Sequence, residues 1–148
     1  MMGGQSGKVA VVTGSNTGIG YYMARALASK GASVIMACRD PTKGEVARDR
    51  ILEEFPDSEV SVSVLDLADL SSIEEFADGF PSEGGLGILI NNAGVMIPPK
   101  SRTKDGFELQ FGTNHLGHFA LTGRLLPILE KTEGSRVVTV SSIAHNPG

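Results

Sequence analysis

The run Val9-Ala10-Val11-Val12-Thr13-Gly14-Ser15-Asn16-Thr17-Gly18-Ile19-Gly20 decides the fold. An apolar stretch, Val9 to Val12, runs into glycines, and a segment with helical spacing, Tyr21 to Lys30, follows. Buried strand, glycine turn and helix, in that order, make a cradle for a pyrophosphate. The strand end points at the ligand, the glycines let the backbone approach, and the helix N-terminus supplies free N–H groups and partial positive charge. The spacing, Gly14-x-x-x-Gly18-x-Gly20, is not the commoner Gly-x-Gly-x-x-Gly, and glycines alone also fit an ordinary strand-to-helix turn. The rest of the chain has to decide between the two.

Strand and helix patterns alternate onward from that turn. Met23, Ala26 and Leu27 mark one helix face, and Gly31 is its stop signal. Ser33–Cys38 is the second strand, and Asp40-Pro41 supplies a cap and a first-turn proline for a charged helix ending near Phe55-Pro56. Val60–Leu65 is the third strand, and Ser71 with Glu74 reads as a capping box for a helix to about Phe80. Leu86–Ile90 is the fourth strand and leads into Asn91-Asn92-Ala93-Gly94. A long helix is expected from about Lys104 to Lys131, with Pro127 kinking it or marking a boundary near its end. Arg136–Val140 is the fifth strand. Five strands separated by helices predict an α/β fold: a doubly wound parallel sheet of Rossmann type, order 3-2-1-4-5, ending at strand 5. Its ligand would lie at the carboxyl ends of strands 1 and 4, where the order reverses.

Composition agrees with a globular domain. The 148 residues are 41% apolar and 20% charged, enough for one core. A net charge of −4 with no basic block argues against a nucleic-acid partner. The lone cysteine, Cys38, forbids an intrachain disulfide and fits a reducing compartment. No apolar run approaches the roughly 20 residues of a membrane helix, and no signal-peptide core is seen, so a cytoplasmic protein without membrane contact is expected.

Taken together, five motifs become specific: Thr13-Gly14-x-x-x-Gly18-x-Gly20, Asp66-Leu67 after strand 3, Asn91-Asn92-Ala93-Gly94 after strand 4, Asn114 in the long helix, and Ser141-Ser142 after strand 5. In that order, over nearly the whole chain, they resemble the classical short-chain dehydrogenase/reductase family. Asn114-His115-Leu116-Gly117-His118-Phe119 and Ala37-Cys38-Arg39 resemble its retinol-dehydrogenase-like branch.

The resemblance implies roles. Gly14, Gly18 and Gly20 form the pyrophosphate turn, where a side chain at Gly18 or Gly20 would block phosphate or helix–strand packing. Ser15, Asn16, Thr17 and Ile19 line the approaches to the adenosine and nicotinamide. Asp66 bonds the adenine with Leu67 beside it, and Asn92, Ala93 and Gly94 pass along the ribose. Asn91 is expected to hydrogen-bond the neighbouring strand. A carboxylate that selects NAD stands about 20 residues past such a turn. Here Cys38 occupies that place and Arg39 follows, suited to a 2′-phosphate, so NADP(H) is the expected cofactor. The alternative for Arg39 is a surface pair with Asp40. In the family a tyrosine is the general acid/base, a lysine lowers its pKa, a serine polarises the carbonyl and an asparagine supports a water relay. Ser142 matches the serine and Asn114 the asparagine. His115 and His118 lack a third ligand and are expected to pack or face solvent rather than hold a metal.

The family's Tyr-x-x-x-Lys follows the serine, and this sequence stops at Gly148. Its two tyrosines, Tyr21 and Tyr22, are followed at that spacing by Arg25 and Ala26. Residues 1–148 are therefore expected to be the NADP-binding Rossmann domain, the N-terminal part of a longer reductase acting on a small carbonyl or alcohol substrate. The isolated chain is expected to be inactive and to associate, as a homo-oligomer or otherwise, through the open edge of strand 5. A non-catalytic NADP-binding module, or a subunit completed by a partner, is the alternative.

Overall fold

The computed structural model describes residues 3–81 and 83–142. Five parallel strands form one sheet in the order β3-β2-β1-β4-β5. They are β1 (Val9–Thr13), β2 (Ser33–Cys38), β3 (Val60–Val64), β4 (Ile88–Asn91) and β5 (Arg136–Thr139). This is the expected doubly wound sheet, and the reversal of direction between β1 and β4 opens a crevice at their carboxyl ends. The register aligns Val12 with Met36 on one side and with Ile90 on the other.

Period-two alternation divides the core between the two faces. Ala10 and Val12 pack with Tyr21, Ala24, Leu27, Val34, Met36 and Ile51, beneath α1 (Gly18–Ala28) and α2 (Pro41–Glu54). Val11 and Leu89 pack with Leu65, Ile73, Phe76, Leu121 and Leu125, beneath α3 (Leu70–Asp78) and α5 (Gly117–Lys131). Strands apolar on both faces can sit only inside such a sandwich of helices. β5 is different: all four of its residues are exposed, including Val137 and Val138.

Three expectations need correction. The α3 cap is Asp69, not Ser71: its Oδ1 accepts from the Ser71 N–H at 2.9 Å, and Ser71 is already helical. A carboxylate accepts more strongly than a hydroxyl, and Lys104 Nζ at 2.7 Å reinforces it. The Lys104 ammonium, then the Ser71 hydroxyl, hold the Asp69 carboxyl down to about 2. The long helix starts later than Lys104. Residues 102–108 form a turn closed by an Arg102–Glu108 bridge, and Glu108 caps the short α4 (Leu109–Phe111) through the amides of Gln110 and Phe111. A π-helical turn, Gly112–Leu116, separates α4 from α5. Pro127 lies within α5, which continues to Lys131. Finally, α1 begins at Gly18, so the last two glycines of the turn belong to the helix.

Candidate functional site

The glycine turn owes its path to two local constraints. Gly14 has φ +62°, and a Cβ there would stand 2.8 Å from the Cα of Ala93. Only glycine takes that left-handed conformation while the β4 loop lies against it. Gly20 has ordinary helical φ but no room: a Cβ would meet the Gly14 carbonyl oxygen at 2.5 Å and the Asn92 side-chain amide closer still. Gly18 is also left-handed, at φ +57°, and faces open space. The first turn of α1 thus reaches solvent unobstructed. Its N-cap, Thr17, makes no side-chain cap bond, whereas Asp40 and Asp69 cap α2 and α3. No acidic residue occupies that first turn. Such an end presents free N–H groups and positive dipole to an anion.

A cleft of about 390 Å³ opens beside this turn. Gly14, Asn16, Thr17, Ile19, Gly20, Arg39, Asp66, Leu67, Asn92, Ala93 and Gly94 all border it. Eleven of the expected site residues, drawn from four strand ends, therefore meet round one volume. A larger hollow of about 620 Å³ lies at the amino ends of the strands, but Glu54, Asp57 and Glu59 line it without a cation, which is wrong for phosphates.

Several expected residues stand elsewhere. Ser15 does not line the cleft: it is fully buried, its hydroxyl donates to Val12 O at 2.9 Å, and Cys38 Sγ is 3.7 Å away. Gly18 is not among the residues that line the cleft, and a Cβ there would meet nothing within 4 Å. Cys38 is buried behind the turn, and burial pushes its thiol up, so the strand-end residue at the cleft is Arg39. The surface alternative for Arg39 does not arise through Asp40, whose carboxylate caps Lys43 N and pairs with Lys43 Nζ. Asp66 Oδ1 accepts from Ala68 N at 2.9 Å. Asn91 pairs with Thr139 and accepts from Val140 N through its carbonyl, the expected bond to the neighbouring strand, while its side chain donates to Thr122 Oγ1 on α5. Ser141 and Ser142 are exposed just past β5, at the same carboxyl edge of the sheet.

Asn114 sits in the π turn, and its amide clasps one residue. Nδ2 donates to Val95 O and Oδ1 accepts from Val95 N, both at 2.8 Å. This fixes the loop after β4, where Ile97 has φ +48° and donates its N–H to Gln110 Oε1 at 2.8 Å. That conformation is costly for a β-branched residue, and Asn114 at Val95 and Gln110 at the Ile97 amide hold the backbone leading into it.

Beneath the cleft lies a polar cluster that the sequence reading missed. Thr13 Oγ1 accepts from the backbone N–H groups of Asn92 and Ala93, each at 2.9 Å, and stands 2.8 Å from His118 Nε2. His118 Nδ1 is 2.8 Å from Asn114 O. The expectation that His118 packs holds, yet it packs as a bonded polar group, 5% exposed. His115 is exposed and stacks on Phe111. The available signal was the four-residue spacing of Asn114 and His118 on a helix aimed at the end of a buried strand.

Burial pushes the His118 imidazole below its usual value, against a smaller opposing effect of the Asn114 carbonyl. The unfolded chain therefore binds more protons than the fold between the two values, and stability falls as pH drops below about 6.5. The melting temperature should decline from about pH 7 to about pH 5, with a shallower slope in His118→Gln. Identical slopes would contradict this.

The short chain dehydrogenase family profile matches residues 8–148. Human retinol dehydrogenase 12 is 56% identical over 143 residues, covering 96% of this chain and 45% of that protein. The crystal structure of an uncharacterised Mycobacterium paratuberculosis protein superposes with a TM-score of 0.86 at 52% identity, covering 97% of this chain and 49% of the other. A metagenomic short-chain oxidoreductase in complex with NADP gives a TM-score of 0.81 at 29% identity, covering 94% and 64%. The chain spans just under half the length of the curated relative it matches. Among the described residues, no helix is long and apolar enough to cross a membrane.

Proposed function

The chain belongs to the short-chain dehydrogenase family, and on that premise we propose that its cleft binds NADP(H) for oxidoreduction of a small carbonyl or alcohol. What carries the reading is one arrangement: an uncapped helix N-terminus behind a glycine turn, with Arg39 at the rim and no carboxylate at the end of β2. The N–H groups of the α1 first turn hold the pyrophosphate. Arg39 pairs with the 2′-phosphate through two guanidinium donors. Asp66 takes the adenine amino group on the carboxylate oxygen that Ala68 leaves free, and the backbone of Asn92, Ala93 and Gly94 follows the ribose. The NADP complex of the metagenomic relative supports the choice of cofactor.

NADP(H), when bound, supplies or accepts the hydride. Ser142 donates a hydrogen bond to the carbonyl oxygen of the substrate, and Asn114 holds the β4 loop through Val95. Met96 and Ile97, 83% and 85% exposed beside Val95, support an apolar substrate. Tyr21 and Tyr22 lie inside α1 and neither lines the cleft, so neither is placed to exchange the proton. A missing general acid costs roughly 10²–10⁴ in rate, so the 148-residue chain binds the cofactor without turnover.

An assay of the purified chain with NADPH and a panel of aldehydes tests the proposal. Saturable NADPH binding with no NADPH oxidation is expected. Oxidation at an enzymatic rate would refute the need for the absent tyrosine, and failure to bind would refute the cofactor site.

A further inference from the structure

The cluster around Thr13 can be solved for its protons. A threonine hydroxyl has one hydrogen and two lone pairs. The N–H groups of Asn92 and Ala93 take both lone pairs of Thr13 Oγ1. Its hydrogen must then go to an acceptor, and His118 Nε2 at 2.8 Å is better placed than Ile90 O at 3.4 Å. A second argument reaches the same state from the other nitrogen. His118 Nδ1 faces Asn114 O at 2.8 Å, and a carbonyl oxygen accepts only, so Nδ1 must carry the proton. Both ends require a neutral imidazole with its hydrogen on Nδ1 and a bare Nε2.

The opposite tautomer would fail twice. It would set a lone pair against the Asn114 carbonyl and bring a third donor to Thr13 Oγ1. One of the Asn92 and Ala93 amides would then lose its acceptor, and both residues line the cleft. The π turn is what faces the Asn114 carbonyl toward the ring, and the Asn114 side chain clasps Val95 at the same time.

We propose that His118 is a positioning residue of the cofactor cleft: its Nδ1–H tautomer, anchored on the Asn114 carbonyl, accepts the Thr13 hydroxyl and leaves Thr13 to hold the Asn92 and Ala93 amides in place. The role in cofactor binding rests on the dinucleotide reading given above. The proton arrangement does not. His118 thereby joins the end of β1, the loop after β4 and the π turn into one unit that forms without the cofactor. The low pKa direction agrees, since a charged imidazole would add the same unwanted donor at Nε2.

Three measurements on the 148-residue chain test this. Long-range ¹H–¹⁵N spectra of the wild-type imidazole at neutral pH should show the hydrogen on Nδ1 and none on Nε2. A hydrogen on Nε2, or on both nitrogens, would overturn the proposal without any variant having to fold. Amide hydrogen exchange without cofactor should accelerate about tenfold at Asn92 and Ala93 in His118→Leu, the scale of one lost hydrogen bond. His118→Gln, whose side-chain oxygen can accept the Thr13 hydroxyl, should restore slow exchange, and equal acceleration in both variants would reduce His118 to packing. NADPH titration should follow the same order, with Kd raised about tenfold in His118→Leu and near wild type in His118→Gln. A wild-type chain that binds neither NADPH nor NADH would sink the dinucleotide reading, while the spectra and the exchange rates would still decide the role of His118.

Discussion

Gly20→Ala should lower the melting temperature by about 10 °C and weaken NADPH binding at least tenfold. The added methyl points at the Gly14 carbonyl oxygen, 2.5 Å away, and at the Asn92 amide nitrogen. Neither can step aside cheaply. Gly14 is pinned in a left-handed turn, and Asn92 Nδ2 is bonded to Thr13 O at 2.9 Å and Gly14 O at 3.3 Å. Overpacking of this kind costs about 1–3 kcal/mol. Freeing two carbonyls from their donor adds about 1 kcal/mol or more. A loss of about 3 kcal/mol is a large part of a stability of about 5–15 kcal/mol, and at 2–4 °C per kcal/mol gives about 10 °C. Gly123→Ala is the matched control. Its Cβ meets nothing within 4 Å, and it lies inside α5, so removing that glycine should leave the melting temperature unchanged or raise it slightly. Calorimetry of the two variants checks both statements. Equal melting temperatures for Gly20→Ala and wild type would contradict the packing described here.

Arg39→Ala should raise the Kd for NADPH about tenfold or more while changing that for NADH less than about twofold, judged from charge-assisted hydrogen bonds of about 1.5–3 kcal/mol. Arg39 is exposed, which places the effect at the lower end and makes it shrink as salt is added. The direction depends on what surrounds Arg39. Asp40 is engaged by Lys43, and the buried Cys38 offers the ribose no carboxylate. A parallel loss for both cofactors would mean that Arg39 supports the loop and does not read the 2′-phosphate.

The sheet was legible because its causes are local and repeated. Val9–Val12 and Ser33–Cys38 are too apolar to lie anywhere but between two helical layers, and the glycine turn pointed the first crossover. Most of the cleft followed, since its residues stand at strand ends. What could not be read depends on contacts made across the fold. Asp69 displaces Ser71 as cap partly because Lys104, distant in sequence, supports its carboxylate. The π turn lies where Asn114 clasps Val95, far away in sequence, and no periodicity in Gly112–Leu116 announces it. Ser15 and Thr13 are both small hydroxyl residues at the end of one strand. Only the folded chain distinguishes the one turned inward to Val12 from the one that organises Asn92, Ala93 and His118.

The central claim is that the crevice between β1 and β4 binds NADP(H). Titration of NADPH into the ¹⁵N-labelled chain, followed by amide resonances, tests it most directly. The amides of residues 14–20, Arg39, Asp66 and residues 92–94 should shift together along one saturable isotherm, with NADH requiring a higher concentration for the same shifts. Shifts centred on Gly31, Phe55 and Glu59 at the other end of the sheet, or no shifts with either nucleotide, would contradict it.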